Sequence, residues 1–287
     1  MRIRNTVPAI RRLVRRTHAT DPGAMFCCES TGGYERTLVD VCGEEAQPLC
    51  LMNALQVRRY AEHRGVLEKT DRIDARIISM AADDKDPAPL VHPTARQRKL
   101  KELWTLRTEL VVERDRVRNQ LEHLREKETV AAVRRIVASI ERQLSTLENR
   151  CRVLVEADGA SAALMERVQL VKGVGPLTAL ALAALLPELL VLDDKRLAKL
   201  AGLAPIAEQS GTVDGPRHIQ KGRGLVRRAL YFAAVSASKC NRILSAFYER
   251  LVKAGKAKKV ALVAVMRKLL CLLRRIAQKP DFVPAST

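Results

Sequence analysis

The sequence predicts an α/β region followed by an all-helical one, a fold class of α/β plus α, and three observations carry that expectation. A short apolar run that stops at a turn reads as a buried strand near the start. A seven-residue apolar period runs through the middle, and an Ala- and Leu-rich stretch punctuated by Gly and Pro fills residues 159–287.

In chain order, residues 24–28 (AMFCC) form the strand, which ends at Glu29 and the turn-prone Ser-Thr-Gly-Gly. A helix follows from about Tyr34, and residues 49–53 read as a second strand. Residues 69–82 have helical spacing with Ile73, Ile77 and Met80 on one face. Asp-Pro-Ala-Pro at 86–89 and then Pro93 break the pattern, which sets the end of the α/β domain at residue 90. From Val133, the positions Val137, Ile140, Leu144, Leu147, Cys151 and Leu154 follow steps of four and three, the heptad rule. Leu103, Leu110, Val117 and Leu124 also keep a seven-residue period, with Glu113 and Gln120 at intervening seam positions. Residues 91–158 are therefore expected to form a coiled-coil arm, as an antiparallel hairpin or a dimerising element. Turns at 173–176, Pro187 and 202–205 divide the compact helical domain expected over 159–287.

Charge narrows the function. The 51 Lys and Arg outnumber the 32 Asp and Glu, a net +19 that favours a polyanionic partner. Residues 215–287 hold 17 basic and two acidic side chains, so +15 of that charge lies in the last quarter. Four Phe, four Tyr and one Trp argue against base stacking as the main mode of contact. Seven cysteines without a CxxC pair fit reduced thiols in a cytoplasm rather than a zinc site. The longest apolar stretches fall short of the roughly 20 residues that span a bilayer, so no membrane segment is expected. Residues 1–20 carry six Arg and no acid, which imitates a transit peptide, although a cleavable signal would need its own apolar or amphipathic logic and targeting is not the expectation.

Three constellations carry chemistry. In Lys-Thr-Asp71-Arg-Ile-Asp74-Ala-Arg, two Asp three residues apart at a helix start project from one face, and Glu29 is a third carboxylate at a strand end. Hard oxygen ligands of this kind suit Mg²⁺ or Mn²⁺ at a phosphoryl-transfer site. Taken alone, such a pair is more often a solvated, salt-bridged helix face. In Val-Lys172-Gly173-Val-Gly175-Pro, two glycines before a helix free backbone N–H groups for a phosphate, as in a helix-hairpin-helix motif. A plain interhelical turn explains the spacing equally well. Ser210, between Gln209 and Gly211 in a polar loop, has the setting of an exposed nucleophile, although most loop serines only form turns.

Together these residues resemble a known family. Glu29-Ser-Thr-Gly-Gly-Tyr34, KTDRIDAR at 69–76, LAGLAPIAEQSGTVDG at 200–215 and FYERLVKAGKAKKVALVAVMRKLL at 247–270 look like the IS110/IS1111 insertion-sequence transposases, which include Piv-type DNA invertases and bridge-RNA-guided recombinases. The resemblance implies an RNase H-like (RuvC-like) domain with an Asp-Glu-Asp-Asp metal set over 1–90, a coiled-coil arm over 91–158 and a helical transposase domain over 159–287. Glu29, Asp71 and Asp74 fall on the family's glutamate and last two aspartates, and Ser210 falls on its nucleophile. Lys172, Gly173, Gly175, Arg217, Lys221, Arg223, Arg227, Arg228, Lys256, Lys258 and Lys259 are the expected nucleic-acid contacts. Implied partners are Mg²⁺ or Mn²⁺, double-stranded DNA, a guide (bridge) RNA in some relatives, and further copies of the chain as a dimer or tetramer.

Two departures stand out. The family's first aspartate lies on a strand of the Gly-Ile-Asp-Val-Ser-Lys kind, which has no counterpart before Glu29; Asp21, the only acid there, precedes Pro-Gly. The start, Met-Arg-Ile-Arg-Asn-Thr, resembles a later strand of that domain, so the domain is expected to lack its first strand or strands. Gly222-Arg-Gly224 stands where the family tends to have Gly-Gly-Asn. The leading expectation is a transposase or site-specific recombinase; the alternative is a truncated, catalytically inactive DNA- or RNA-binding remnant. A helix-hairpin-helix structural DNA-binding protein of other ancestry is the third.

Overall fold

The computed structural model describes residues 3–282 except 67, 69, 88, 91, 207–208, 211–212, 215–217 and 280, with the backbone alone at 206, 209–210 and 213–214. Two strands, β1 (Phe26–Glu29) and β2 (Leu49–Met52), pair in parallel with Phe26 opposite Leu49 and Glu29 opposite Met52. A parallel pair must be covered on both faces, and the two-residue alternation divides its side chains accordingly. Phe26, Cys28 and Leu49 pack with α1 (Val7–Thr20) and α2 (Arg36–Glu44) through Ile10, Val14, Val41 and Cys42. Cys27, Cys50 and Met52 pack with α3 (Ala54–His63) and α4 (Asp71–Lys85) through Val57, Ile77 and Ala81. Side-chain caps define both starts: Asn53 accepts from Leu55 and Gln56 N–H, and Thr70 accepts from Ile73 N–H.

The start of the chain departs from its resemblance to a strand. Residues 3–6 form no strand, and α1 follows, because Ile10 and Val14 stand four apart and give one apolar stripe of helical period. Two of its arginines reach the end of α2, where Arg11 pairs with Glu44 and Arg15 with Glu45.

Among its described residues the second unit, 95–287, is mainly helical with short strand pairs. It comprises α5 (Ala95–Gln120), α6 (Lys127–Glu156), α7 (Gly159–Val168), α8 (Pro176–Leu185), α9 (Asp194–Leu200), α10 (Gly224–Cys240), α11 (Arg242–Lys253) and α12 (Lys258–Gln278). Between α9 and α10, β3 (Pro205–Ile206) pairs antiparallel with β6 (His218–Ile219), and β4 (Gln209–Ser210) with β5 (Val213–Asp214). Helix α8 is buried on all sides over residues 179–185, which makes it the axis of this unit. Val226, Leu230 and Ala234 of α10 and Met266, Leu269 and Leu273 of α12 close the core around it.

The seven-residue seam lies where α5 and α6 pack against each other. Val137, Leu144, Leu147 and Cys151 are buried and Val133, Ile140 and Leu154 half-buried, while Arg107 of α5 bonds Glu148 of α6 at 2.8 Å. The pair is an intrachain helical hairpin. Its base is continuous with the helical core, because Leu100, Trp104, Cys151 and Val155 belong to the same apolar cluster as α8 and α12. The chain thus divides into two compact units, 1–94 and 95–287, with the hairpin and the expected domain at 159–287 sharing one core. Among the described residues no helix is long and apolar enough to cross a membrane.

Candidate catalytic site and nucleic-acid interface

Glu29 ends β1, and its place in the alternation puts it on the face that Cys27 shares with α3 and α4. Helix α4 packs on that face through Ile73, Ile77 and Ala81. The Asp83 charge acts on the Cys27 thiol, and the Tyr60 hydroxyl of α3 donates to Asp84 and the Met80 carbonyl, which ties α3 to the C-terminal half of α4. In its first turn Asp71 is exposed and Asp74 half-buried, while Ile73 beside them packs on the β1–β2 face. Among the described residues no three Asp, Glu, His or Cys side chains are gathered to hold a metal ion. The donor chemistry of Glu29, Asp71 and Asp74 suits Mg²⁺ or Mn²⁺, but the three are not gathered closely enough to fit one ion in this arrangement.

The loop beyond Glu29 is fixed by a residue that the sequence did not single out. The Glu35 carboxylate accepts from Gly33 N–H at 2.8 Å and from Thr31 N–H and Oγ at 3.2 Å. Its own backbone N–H, then those of Gly33 and Thr31, hold this carboxyl below the usual range. Gly32 and Gly33, at φ of +74° and +121°, supply the tight turn that brings these donors to one side chain.

Ser210 is placed by its backbone in β4, opposite Val213. The root of its loop is pinned. β3 pairs with β6, Arg223 N–H donates to the Leu200 carbonyl at 2.8 Å, and Gly202 and Gly222 cross so closely that a Cβ on either would strike backbone. Arg227 donates to the Lys221 carbonyl at 2.6 Å, and Arg223 donates to the Leu185 carbonyl at 2.8 Å and to Glu188 at 2.7 Å. The guanidinium groups of Arg223 and Arg227, expected at nucleic acid, thus also tie this root to α8 and its own turn.

The remaining basic positions divide by setting. Lys172 is exposed in the turn before α8. Gly173, at φ +99°, has its Cα face against Ala237 of α10, so its missing side chain serves close packing; Gly175 opens to free space at the start of α8. Lys221 is exposed and Arg228 half-buried, and Arg217 lies outside the described residues. Lys256, Lys258 and Lys259 are exposed where α11 turns into α12, whose first turn holds no acid. Positive charge at a helix N-terminus opposes the helix dipole, and an anion there relieves the conflict. Sequence reasoning also missed Tyr231 and Phe232, exposed neighbours on α10; an i,i+4 inspection for apolar side chains off the core face would have found them.

A small parallel sheet covered by helices on both faces and a basic helical unit define a two-unit α/β plus α protein of strong positive charge, the kind that suits a polyanionic partner. Residues 1–129 match the model of the DEDD transposase domain of IS110, and residues 165–249 match that of the transposase IS116/IS110/IS902 family. The chain is also similar to the pilin gene-inverting proteins of Moraxella lacunata and Moraxella bovis. Each is 27% identical over 267 residues, which span 85% of this chain and 77% of the relative. The chain belongs to the IS110/IS116 family of transposases.

Proposed function

We propose that this chain cleaves and exchanges strands of double-stranded DNA as the transposase or site-specific recombinase of an insertion sequence. The observation that carries the reading is the match of two transposase models, in order, to both compact units. The gene-inverting relatives support recombination at defined sites as the form of the reaction. The parallel β1–β2 pair, covered on both faces, supports an RNase H-like reading of residues 1–94.

In the proposed reaction Ser210 Oγ attacks a backbone phosphorus. A Ser–O–P bond forms, the bond to one sugar oxygen breaks, and the serine proton ends on that departing hydroxyl. Attack by another strand's hydroxyl reverses the step and joins new partners. The pinned loop root supports this role by limiting the positions open to the serine. Cations at 172, 221, 228, 256, 258 and 259 are the proposed phosphate contacts, with Arg217 beside them in sequence. A guide RNA and assembly as a dimer or tetramer are further proposals that rest on the family alone.

The test uses supercoiled DNA carrying the chain's own gene and its flanks, with denaturation during the reaction to trap protein–DNA adducts. Adducts should form with the native chain and vanish in Ser210→Ala, with DNA affinity kept. Adducts that persist in the variant place the nucleophile elsewhere. Salt-sensitive binding without adducts from the native chain favours the inactive binding remnant.

A further inference from the structure

The chain has nine aromatic residues, and two of the three exposed ones are neighbours on α10: Tyr231 is 37% and Phe232 60% exposed. Their ring centroids lie 5.8 Å apart with planes at 78°, edge to face. Each ring restricts the other, so little side-chain freedom remains to be lost when a ligand arrives. Arg228 stands one turn earlier on the same face, three and four residues before the pair, and Lys239 and Arg242 follow as exposed cations. Residues 217–248 include seven Lys and Arg and no Asp or Glu.

This composition selects the occupant. A second copy of the chain would bring the same positive patch against this one, which opposes a self-complementary contact. A nucleic acid offers the complement to both features, phosphates for the cations and flat π faces for the rings. Bases in an intact duplex are hidden in the stack, so the rings have a partner only where a base is unpaired or unstacked. Strand exchange creates such bases, and α10 is the helix whose N-terminal Arg223 and Arg227 tie down the serine loop. We infer that Tyr231 and Phe232 form a stacking platform for unpaired DNA bases generated during strand exchange. The inference rests on the proposed action on DNA and adds the mode of base contact. The small aromatic count argued against stacking as a general mode; two rings fixed on one cationic helix need no larger count.

The test compares the full chain with Tyr231→Ala/Phe232→Ala and with Phe232→Leu, on one duplex with and without a central unpaired bubble carrying 2-aminopurine. The native chain should bind the bubble roughly tenfold more tightly and quench the reporter. The double variant should lose that preference and quenching while keeping duplex affinity and melting temperature, and Phe232→Leu should lose quenching although it keeps apolar bulk. Equal bubble preference in native and variant chains overturns the platform while leaving the DNA reading intact. Loss of self-association rather than of bubble preference assigns the patch to a second copy and overturns it. Tighter binding of a single RNA strand than of the same DNA strand overturns the DNA assignment, and no binding of either duplex overturns both readings.

Discussion

Gly173 and Gly175 stand two residues apart in one turn and do different things. A Cβ at Gly173 would sit 2.5 Å from the Ala237 Cα, and its φ of +99° disfavours any side chain. Gly173→Val should therefore destabilise the helical unit by about 2 kcal/mol or more, read as a fall in melting temperature. Gly175 has open space around it and φ −80°, so Gly175→Ala should change stability by no more than about 0.5 kcal/mol. If both variants melt alike, close packing is not what Gly173 supplies. Thiol reactivity separates other residues in the same way. Burial pushes Cys28 up to about 12 and Cys42 and Cys151 up to about 11, whereas Cys240 is exposed. Alkylation near pH 8 should label Cys240 first, with Cys28, Cys42 and Cys151 protected until the chain unfolds. Early labelling of Cys151 would contradict its place in the helical core.

The hairpin of α5 and α6 shows what a sequence exposes and what it hides at the scale of elements. Its seam on α6 was legible because a seven-residue period is a property of one helix and needs no knowledge of the partner. Trp104 and Leu100 were not, since their burial comes from the core around α8, built from residues far away in sequence. Glu29 at a strand end and Asp71 and Asp74 at a helix start could be read from the sequence, because both are local features. The pairing of Arg223 with Glu188, 35 residues apart, depends on how helices cross and has no local signature. Leu144→Ala should cost about 2–4 kcal/mol by opening a cavity in the seam, seen as lower helicity and earlier melting; an unchanged transition would mean the seam is not a packed interface. At the base of the hairpin, Asp158 caps α7 and pairs with Arg96 of α5. The Ser161 hydroxyl first, and then Arg96, hold its carboxyl below the usual range. A lowered value in the fold means stability that is full above the unfolded carboxylate's pKa and is lost as pH falls through the folded one. Acid should thus loosen this junction below about pH 4 in the native chain, and Asp158→Asn should remove that part of the pH dependence.

Across the whole molecule the net charge of +19 sets binding strength, but the cations do not contribute equally. Those with internal partners hold the fold, and those left in water are available to release counterions from DNA. Arg223 and Arg227 belong to the first kind through Glu188, Leu185 and Lys221. Lys256, Lys258 and Lys259 belong to the second, exposed at a helix N-terminus that their own charge opposes. Each phosphate neutralised on duplex DNA contributes about −0.9 to the slope of log K against log salt. Replacing the three lysines by Gln should therefore flatten the slope by roughly 2–3 and weaken binding equally for all sequences. Melting temperature should hold or rise, because the conflict with the helix dipole is removed. Arg223→Ala should do the reverse, lowering the melting temperature as the root of the serine loop loosens while shifting the slope by less than one phosphate's share. If the lysine variant melts early with its salt slope intact, those side chains support the fold and DNA is held elsewhere. If Arg223→Ala flattens the slope without destabilising the chain, its guanidinium leaves Glu188 for a phosphate when DNA binds.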